Sequence, residues 1–446
     1  MGPLCLRFLC LGFFCLGFLC LGLNGLILPC ALSAPAHARG ESTARRGVAP
    51  VAQSNPAEPA IGEREVRLEQ LWQVGERPDD PIFGIITSVL RDGDGNVGVL
   101  DVQQHAFLIF DQEGGLLRRI GRRGQGPGEF ERASGICTLP GGGYGVVQPI
   151  PGKILRFDAQ GLPSGSSTPR PDSLMTASSF FVTHQAAPCG ERLVIYCLSQ
   201  AFREYRTFAR ETLALIALDG TIVSRLVEIE NEIDLDRRYF FDEATTGLLP
   251  KRWIVSPENA IYAAPAFHDY LIRVFDADGH EVMVITRAYE AFGRTAAEKA
   301  RIMFLHAVSA DQGEIDDLHR AIEQLSIGPG GVLWVLPSRG LWRLPVGTVG
   351  RYDVYAPDGV FRERVTLLGD ADPMLDDIWV LGDRVIVIRN AKAALAGQLG
   401  GIGGDRWSFT GSDESSAVSS DGSSGRALGR DPEEPVSIIC YAVPGR

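Results

Sequence analysis

Apolar residues along this chain come in short runs with β-type alternation, and the runs are cut by Asp/Gly turns at recurring places. Five segments share one grammar: Phe107–Gly114, Ile154–Gly161, Leu213–Gly220, Ile272–Gly279 and Tyr352–Gly359. Each is a β-rich run ending in an Asp/Gly turn, and four of them enter a second β-rich run directly. Asp-Gly between apolar runs is a strong hairpin signal. Upstream of these segments lie further hairpins at residues 88–101, 136–148, 254–265 and 325–337. Each unit therefore reads as two hairpins, or four strands, a to d. Antiparallel four-stranded units arranged radially make a β-propeller.

A sixth unit begins with MLDDIWVLGDRVIVIRN at residues 374–390, which predicts strands a and b. A Gly/Ser-rich, charged stretch at about 391–434 follows and predicts a disordered loop. Residues 436–445 then supply strand c, and the chain ends without strand d. Residues 65–74 parallel the strand-and-connector pattern that follows the first Asp/Gly turn, so they are expected to complete the last blade. This reading predicts an all-β, six-bladed propeller over residues 63–446, closed by pairing of residues 65–74 and carrying a short helical insertion near 294–320. Joining both chain ends in one sheet removes an open edge.

The stretch IGRRGQGPGEF, residues 120–130, looks at first like a phosphate-cradling loop. Such a loop needs a helix after it, whose N-terminus holds the anion. Here another short strand and turn follow, so the glycines are expected to serve a sharp d-to-a connector that needs unusual backbone angles. The pattern strand–FDxxG–strand–IGxxGxGPGEF resembles the bacterial six-bladed propellers related to NHL repeats. That resemblance covers about residues 63–446, and it implies a fold and an exported location more than a reaction.

The N-terminus changes the picture of location. Arg7 is the only charged residue before Arg39, a long apolar run follows it, and Ala36-His37-Ala38 is a small-x-small cleavage pattern. Residues 1–38 are read as a signal peptide, giving a periplasmic or extracellular protein. A retained N-terminal helix would instead make a membrane-anchored envelope scaffold. Residues 39–62, rich in Ala, Pro, Ser and Arg, are expected to be a flexible leader. The formal net charge of −12 argues against a nucleic-acid partner. Four of nine cysteines survive cleavage: Cys137, Cys189, Cys197 and Cys440. None has CxxC spacing, and buried thiols in strands are expected.

In a propeller the d–a connectors and b–c loops share one face. Two large insertions fall at d–a connectors, Leu226–Arg252 and Ala288–Arg320, and loops are expected at Ser199–Glu211 and Pro337–Gly350. Elaborated loops on a rigid scaffold are where binding residues concentrate. The candidate ligand contacts are His105, Arg122, Arg123, Gln148, Arg203, Arg206, His268, Asp269, Arg339 and Trp342. Their arginines, on an acidic protein, suit an anionic small molecule.

Metal chemistry was weighed through the resemblance, which includes a lyase with histidine-bound zinc and lactonases with a central calcium. Only His105 and His268 occupy equivalent loops, His184 being placed in a strand, and a catalytic zinc wants about three converging ligands. Asp92, Asp94 and Asn96 begin like a calcium loop, but Gln103 holds the last position, so a hairpin turn is expected. No metal or cofactor is therefore assigned. GxSxG and HExxH are both absent. The expected role is a small-molecule- or protein-binding module working through the loop-rich face. The alternatives are a metal-dependent hydrolase or lyase with an axial site, and the envelope scaffold.

Overall fold

The computed structural model describes residues 49–150, 152–170, 180–203, 206–233, 241–306, 313–392, 394–395 and 434–444. The signal-peptide assignment, most of the Gly/Ser-rich loop and the acidic residues Asp234 and Asp236 lie outside the described residues.

The described residues form an all-β propeller that carries the α-helix Ala296–Leu305. The first unit is Ile86–Arg91, Val97–Asp101, Ala106–Phe110 and Leu116–Ile120, paired in that order. Units two and three, Gly135–Thr138 to Pro163–Ser167 and Phe180–Cys189 to Ile222–Ile233, repeat the plan. Unit four runs from Trp253–Val255 to Glu281–Arg287, and unit five from Ile322–Ile327 to Phe361–Leu368. Unit six takes three strands from the C-terminal part of the chain, Asp377–Leu381, Arg384–Arg389 and Ser437–Ala442. Its fourth is Glu69–Val74, antiparallel to Ser437–Ala442.

Among the described residues, buried apolar side chains form six clusters, each shared by consecutive units. One joins Leu100 and Phe107 of unit one to Ile136 and Val146 of unit two. Another joins Ile386 and Ile438 of unit six to Val89 and Val97 of unit one. Packing thus lies between sheet faces, as alternating strands require. The four cysteines sit buried in strands, none disulfide-bonded. Burial pushes the thiols of Cys137 and Cys197 up to about 12.

The turns behave as their sequences predict. In unit one, Asp111 Oδ1 accepts from the backbone N–H of Glu113 at 3.0 Å and Gly115 at 2.7 Å, and Gly114 has φ of 87°. The Asp92 carboxylate accepts from the N–H groups of Asp94 and Asn96 and from the Tyr144 hydroxyl at 2.8 Å, which makes DGDGN a hairpin turn. In IGRRGQGPGEF, Gly121 has φ of 87°, and a Cβ there would overlap the buried Phe130 ring. Strand Gly135–Thr138 follows and no helix intervenes, so this loop is a connector.

Three expectations need correction. Residues 39–62 are not flexible throughout. Val51–Asn55 lies parallel against Glu281–Arg287 as a fifth strand of unit four. The strand expected at 65–74 is two strands, Gly62–Arg67 parallel to Phe361–Leu368 of unit five, and Glu69–Val74 in unit six. The chain passes from unit five to unit six at the buried Leu68, whose N–H still bonds Leu368 O at 2.8 Å. Val51–Asn55 is held by a backbone ladder on a sheet edge, so it needs little apolar periodicity and leaves none to read. The loop expected at Ser199–Glu211 is an extension of the hairpin Arg192–Arg203 and Arg206–Ile216.

Asn55 bolts the outer strand to two units. Its Nδ2 donates to Thr286 O at 3.2 Å and Gly359 O at 3.0 Å, and its Oδ1 accepts from Phe361 N at 2.9 Å. Asn55→Ala should cost about 1–3 kcal/mol by leaving buried backbone groups unsatisfied, read as a lower urea midpoint. An unchanged midpoint would show that the outer strand adds nothing to stability.

Candidate functional site

The two insertions meet. Phe241–Asp242, from the first, pairs parallel with Gly313–Glu314, from the second. Just beyond, Glu243 is almost wholly buried and takes charge-assisted bonds from both flanks. Arg294 grips it with both guanidinium nitrogens, and Arg320 Nη2 reaches Oε1 at 2.9 Å. Burial pushes the Glu243 carboxyl up, but the two guanidiniums outweigh it and hold the group below its ordinary value.

The helix Ala296–Leu305 begins with a capping box. Thr295 Oγ1 accepts from Glu298 N at 3.2 Å, and Glu298 Oε2 accepts from Thr295 N at 2.7 Å. Glu298 also receives Arg343 in a bidentate pair at 2.7 and 2.6 Å. Burial raises this carboxyl, yet Arg343 and the Thr295 N–H bring it down to about 2. His319 is buried, stacked on Phe292 with centroids 4.3 Å apart and 4.8 Å from the Trp342 ring. Burial, with Arg294 beside it, lowers its affinity for a proton. Arg339 lies over Phe292 at 4.8 Å and donates to Glu290 O at 2.8 Å. Trp342 Nε1 donates to Glu323 Oε1 at 3.0 Å.

Beside this web lies Arg252, the residue before the first strand of unit four, with 0% exposure. Its Nη1 donates to Ala266 O at 3.2 Å, while Nε and Nη2 have no partner among the described residues. Burial lowers its pKa to about 9, which leaves the guanidinium charged at neutral pH.

Of the residues singled out from sequence, His268, Arg339 and Trp342 join the second insertion and its neighbours. His268 Nε2 sits 3.3 Å from Asp316 Oδ2, with exposed Asp269 next to it. Arg122 is engaged by Glu129 at 2.7 Å inside the glycine connector, and Arg123 is exposed. Arg206 pairs with Glu232 at 3.0 Å on the unit-three hairpin. Arg203 ends the strand Arg192–Arg203, and its side chain lies outside the described residues. Gln148 is buried at the end of its strand, and His105 has φ of 51° with a buried, unpartnered Nδ1. Nothing among the described contacts links these last residues to the Glu243 web.

Sequence reasoning missed Glu211, Glu243, Arg252, Arg294, Arg320 and Glu323. One signal existed. Arg252 lies one residue before Trp253–Val255 and Arg320 two residues before Ile322–Ile327, so each arginine stands at the entry to the first strand of its unit. Among the described residues, no group of three or more His, Cys, Asp or Glu is placed to hold a metal ion.

Residues 76–176 match the model of DUF5128, a family described as a 6-bladed beta-propeller. This match and the sheet plan agree on a propeller fold. No curated protein matches the sequence significantly. Solved structures with a similar course include a candidate exported protein of Bacteroides fragilis, at 9% identity over 89% of this chain and 100% of that one, with a TM-score of 0.42. A calcium-binding protein of Agrobacterium tumefaciens, regucalcin, is 11% identical over 74% and 87%, with a TM-score of 0.38. Virginiamycin B lyase of Staphylococcus aureus is 10% identical over 73% and 96%, with a TM-score of 0.36. At these scores the likenesses carry no argument about what this chain binds or does.

Proposed function

We propose that this protein is an exported, NHL-like propeller that binds a small molecule or a protein through the face bearing its two insertions. The ring is read as six-bladed, with Glu69–Val74 as the closing strand; the pairing with Ser437–Ala442 and the cluster between units six and one support that reading. Export rests on the N-terminal sequence pattern. The observation that carries the binding role is the joining of two separate insertions on one buried carboxylate, Glu243. Loops elaborated only to fill space would not need a three-part ionic network, whose desolvation is costly. A pre-organised network instead holds a surface in one shape, which lowers the entropy cost of binding.

The test is a thermal-shift screen of metabolites on the mature protein, followed by hydrogen exchange with the strongest binder. Protection should fall on residues 264–270, 289–306 and 338–347. Arg339→Glu and His268→Ala, both at exposed positions, should reduce the shift. Protection confined to the opposite-face turns at 92–96 and 139–143 would overturn the assignment. Stoichiometric zinc or calcium in the purified protein would favour a hydrolase or lyase instead.

A further inference from the structure

We infer that Arg252 anchors a carboxylate-binding site on this face, a deepening that rests on the face being the binding face. Nε–H and Nη2–H lie along one edge of the planar guanidinium, the edge that meets two oxygens of a carboxylate in parallel hydrogen bonds. On Arg252 these two nitrogens lack a partner among the described residues, while Nη1 is occupied by Ala266 O. Buried polar groups are nearly always satisfied, so an idle fork at 0% exposure calls for an acceptor.

The chain's own nearby carboxylates are committed elsewhere. Three of them act electrostatically on Arg252: Glu211, Glu323 and Glu243. Glu211 accepts from the Tyr196 hydroxyl at 3.1 Å and from Leu248 N and Leu249 N at 2.9 and 3.1 Å. Glu323 accepts from the Ser338 hydroxyl at 2.6 Å and from Trp342 Nε1 at 3.0 Å. Glu243 is held by Arg294 and Arg320. Glu211 and Glu243 thus have both oxygens on other donors, and Glu323 has Oε1 on Ser338 and Trp342 with Oε2 3.8 Å from Arg320 Nε; none of the three hydrogen-bonds the Arg252 fork.

The same carboxylates select the ligand. A singly charged, planar group matches the geometry of the idle fork. A phosphate or sulfate dianion would bring a second negative charge into a setting that already holds three. An unsatisfied buried donor pair also discriminates strongly against ligands lacking the matching group. Because Arg252 is shielded from solvent, a ligand's carboxylate reaches it only when covering segments part.

The mature full-length protein would be melted in sodium acetate, succinate, phosphate and sulfate at constant ionic strength. Acetate or succinate should raise the melting temperature of the wild type, and the two inorganic anions should not exceed the ionic-strength control. In Arg252→Met the carboxylate shift should vanish, while the ligand-free variant melts higher than the wild type because an unsatisfied buried charge is gone. Arg252→Lys keeps the charge without the fork, so it should lose most of the shift; it serves as the readout if the methionine variant does not fold. An unmoved wild type, a larger shift from phosphate or sulfate, or a shift surviving in Arg252→Met would overturn the proposal. A shift that survives Arg252→Met but falls in Arg339→Glu would sink the anchor and leave the binding face standing. A shift untouched by any of these substitutions would sink both.

Discussion

Asp353→Ala is expected to destabilise the folded protein by about 3–5 kcal/mol, the usual cost of stranding one side of a buried ion pair. Asp353 is fully buried in the third strand of unit five, accepts two hydrogen bonds and is ion-paired with a further guanidinium. Tyr270 of unit four donates its hydroxyl at 2.9 Å, Arg364 donates Nε at 3.0 Å, and Arg287 lies 3.1 Å away through Nη1. The Arg287 side chain is 5% exposed and sits over the Tyr270 ring at 4.3 Å, so it has no route to water when its partner is removed. Because Tyr270 and Arg287 come from unit four and Asp353 and Arg364 from unit five, the loss should appear as a single cooperative shift in a urea melt. A cost below about 1 kcal/mol would mean that Arg287 finds another acceptor and that this inter-unit bolt is not needed.

Glu243→Gln should have a comparable energetic cost, about 3–5 kcal/mol, and a different character. The isosteric amide keeps the shape but strands Arg294 and Arg320, both largely buried. The first effect should be local: hydrogen exchange should rise in residues 241–244, 293–306 and 313–320 while the strands of units one and two stay protected. Acid should produce the same release in the wild type. Glu243 and Glu298 both have folded pKa values below the ordinary 4.5, Glu298 at about 2. A carboxyl depressed in the folded state contributes stability that is present above its unfolded value and is lost as pH falls through its folded one. Between pH 4.5 and about 2 the insertions should therefore loosen from the propeller. Uniform exchange across all units in Glu243→Gln, or insertions that stay protected down to pH 2 in the wild type, would refute this account.

Two levels of the molecule differ in how far they could be read in advance. The turns that punctuate the units are made within four residues: Asp111, Asp158 and Asp276 each accept from backbone N–H groups two and four positions on. The capping box of Thr295 and Glu298 is equally local. Chemistry that closes within a few residues must be written contiguously, so strand repetition, the glycine connector and the helix start were legible.

The outer strands were only half legible. Glu69–Val74 repeats the strand pattern of its neighbours, whereas Val51–Asn55 carries no apolar alternation and is defined by an open edge 232 residues away. The candidate site was less legible still. Arg339 and Trp342 were visible as loop residues of a plausible face, but Glu243 and Arg320 stand 77 residues apart, and neither has a local motif.

From its sequence alone this chain determined the alternation of strands and turns and the positions where loops are enlarged, because each depends on neighbours along the backbone. Only the tertiary structure decided which loops touch, which edges the N-terminal strands cover and which guanidinium is left over. Those outcomes depend on how distant donors and acceptors are shared out in a dry interior. The idle fork of Arg252 is a property of what Glu211, Glu243 and Glu323 are already doing.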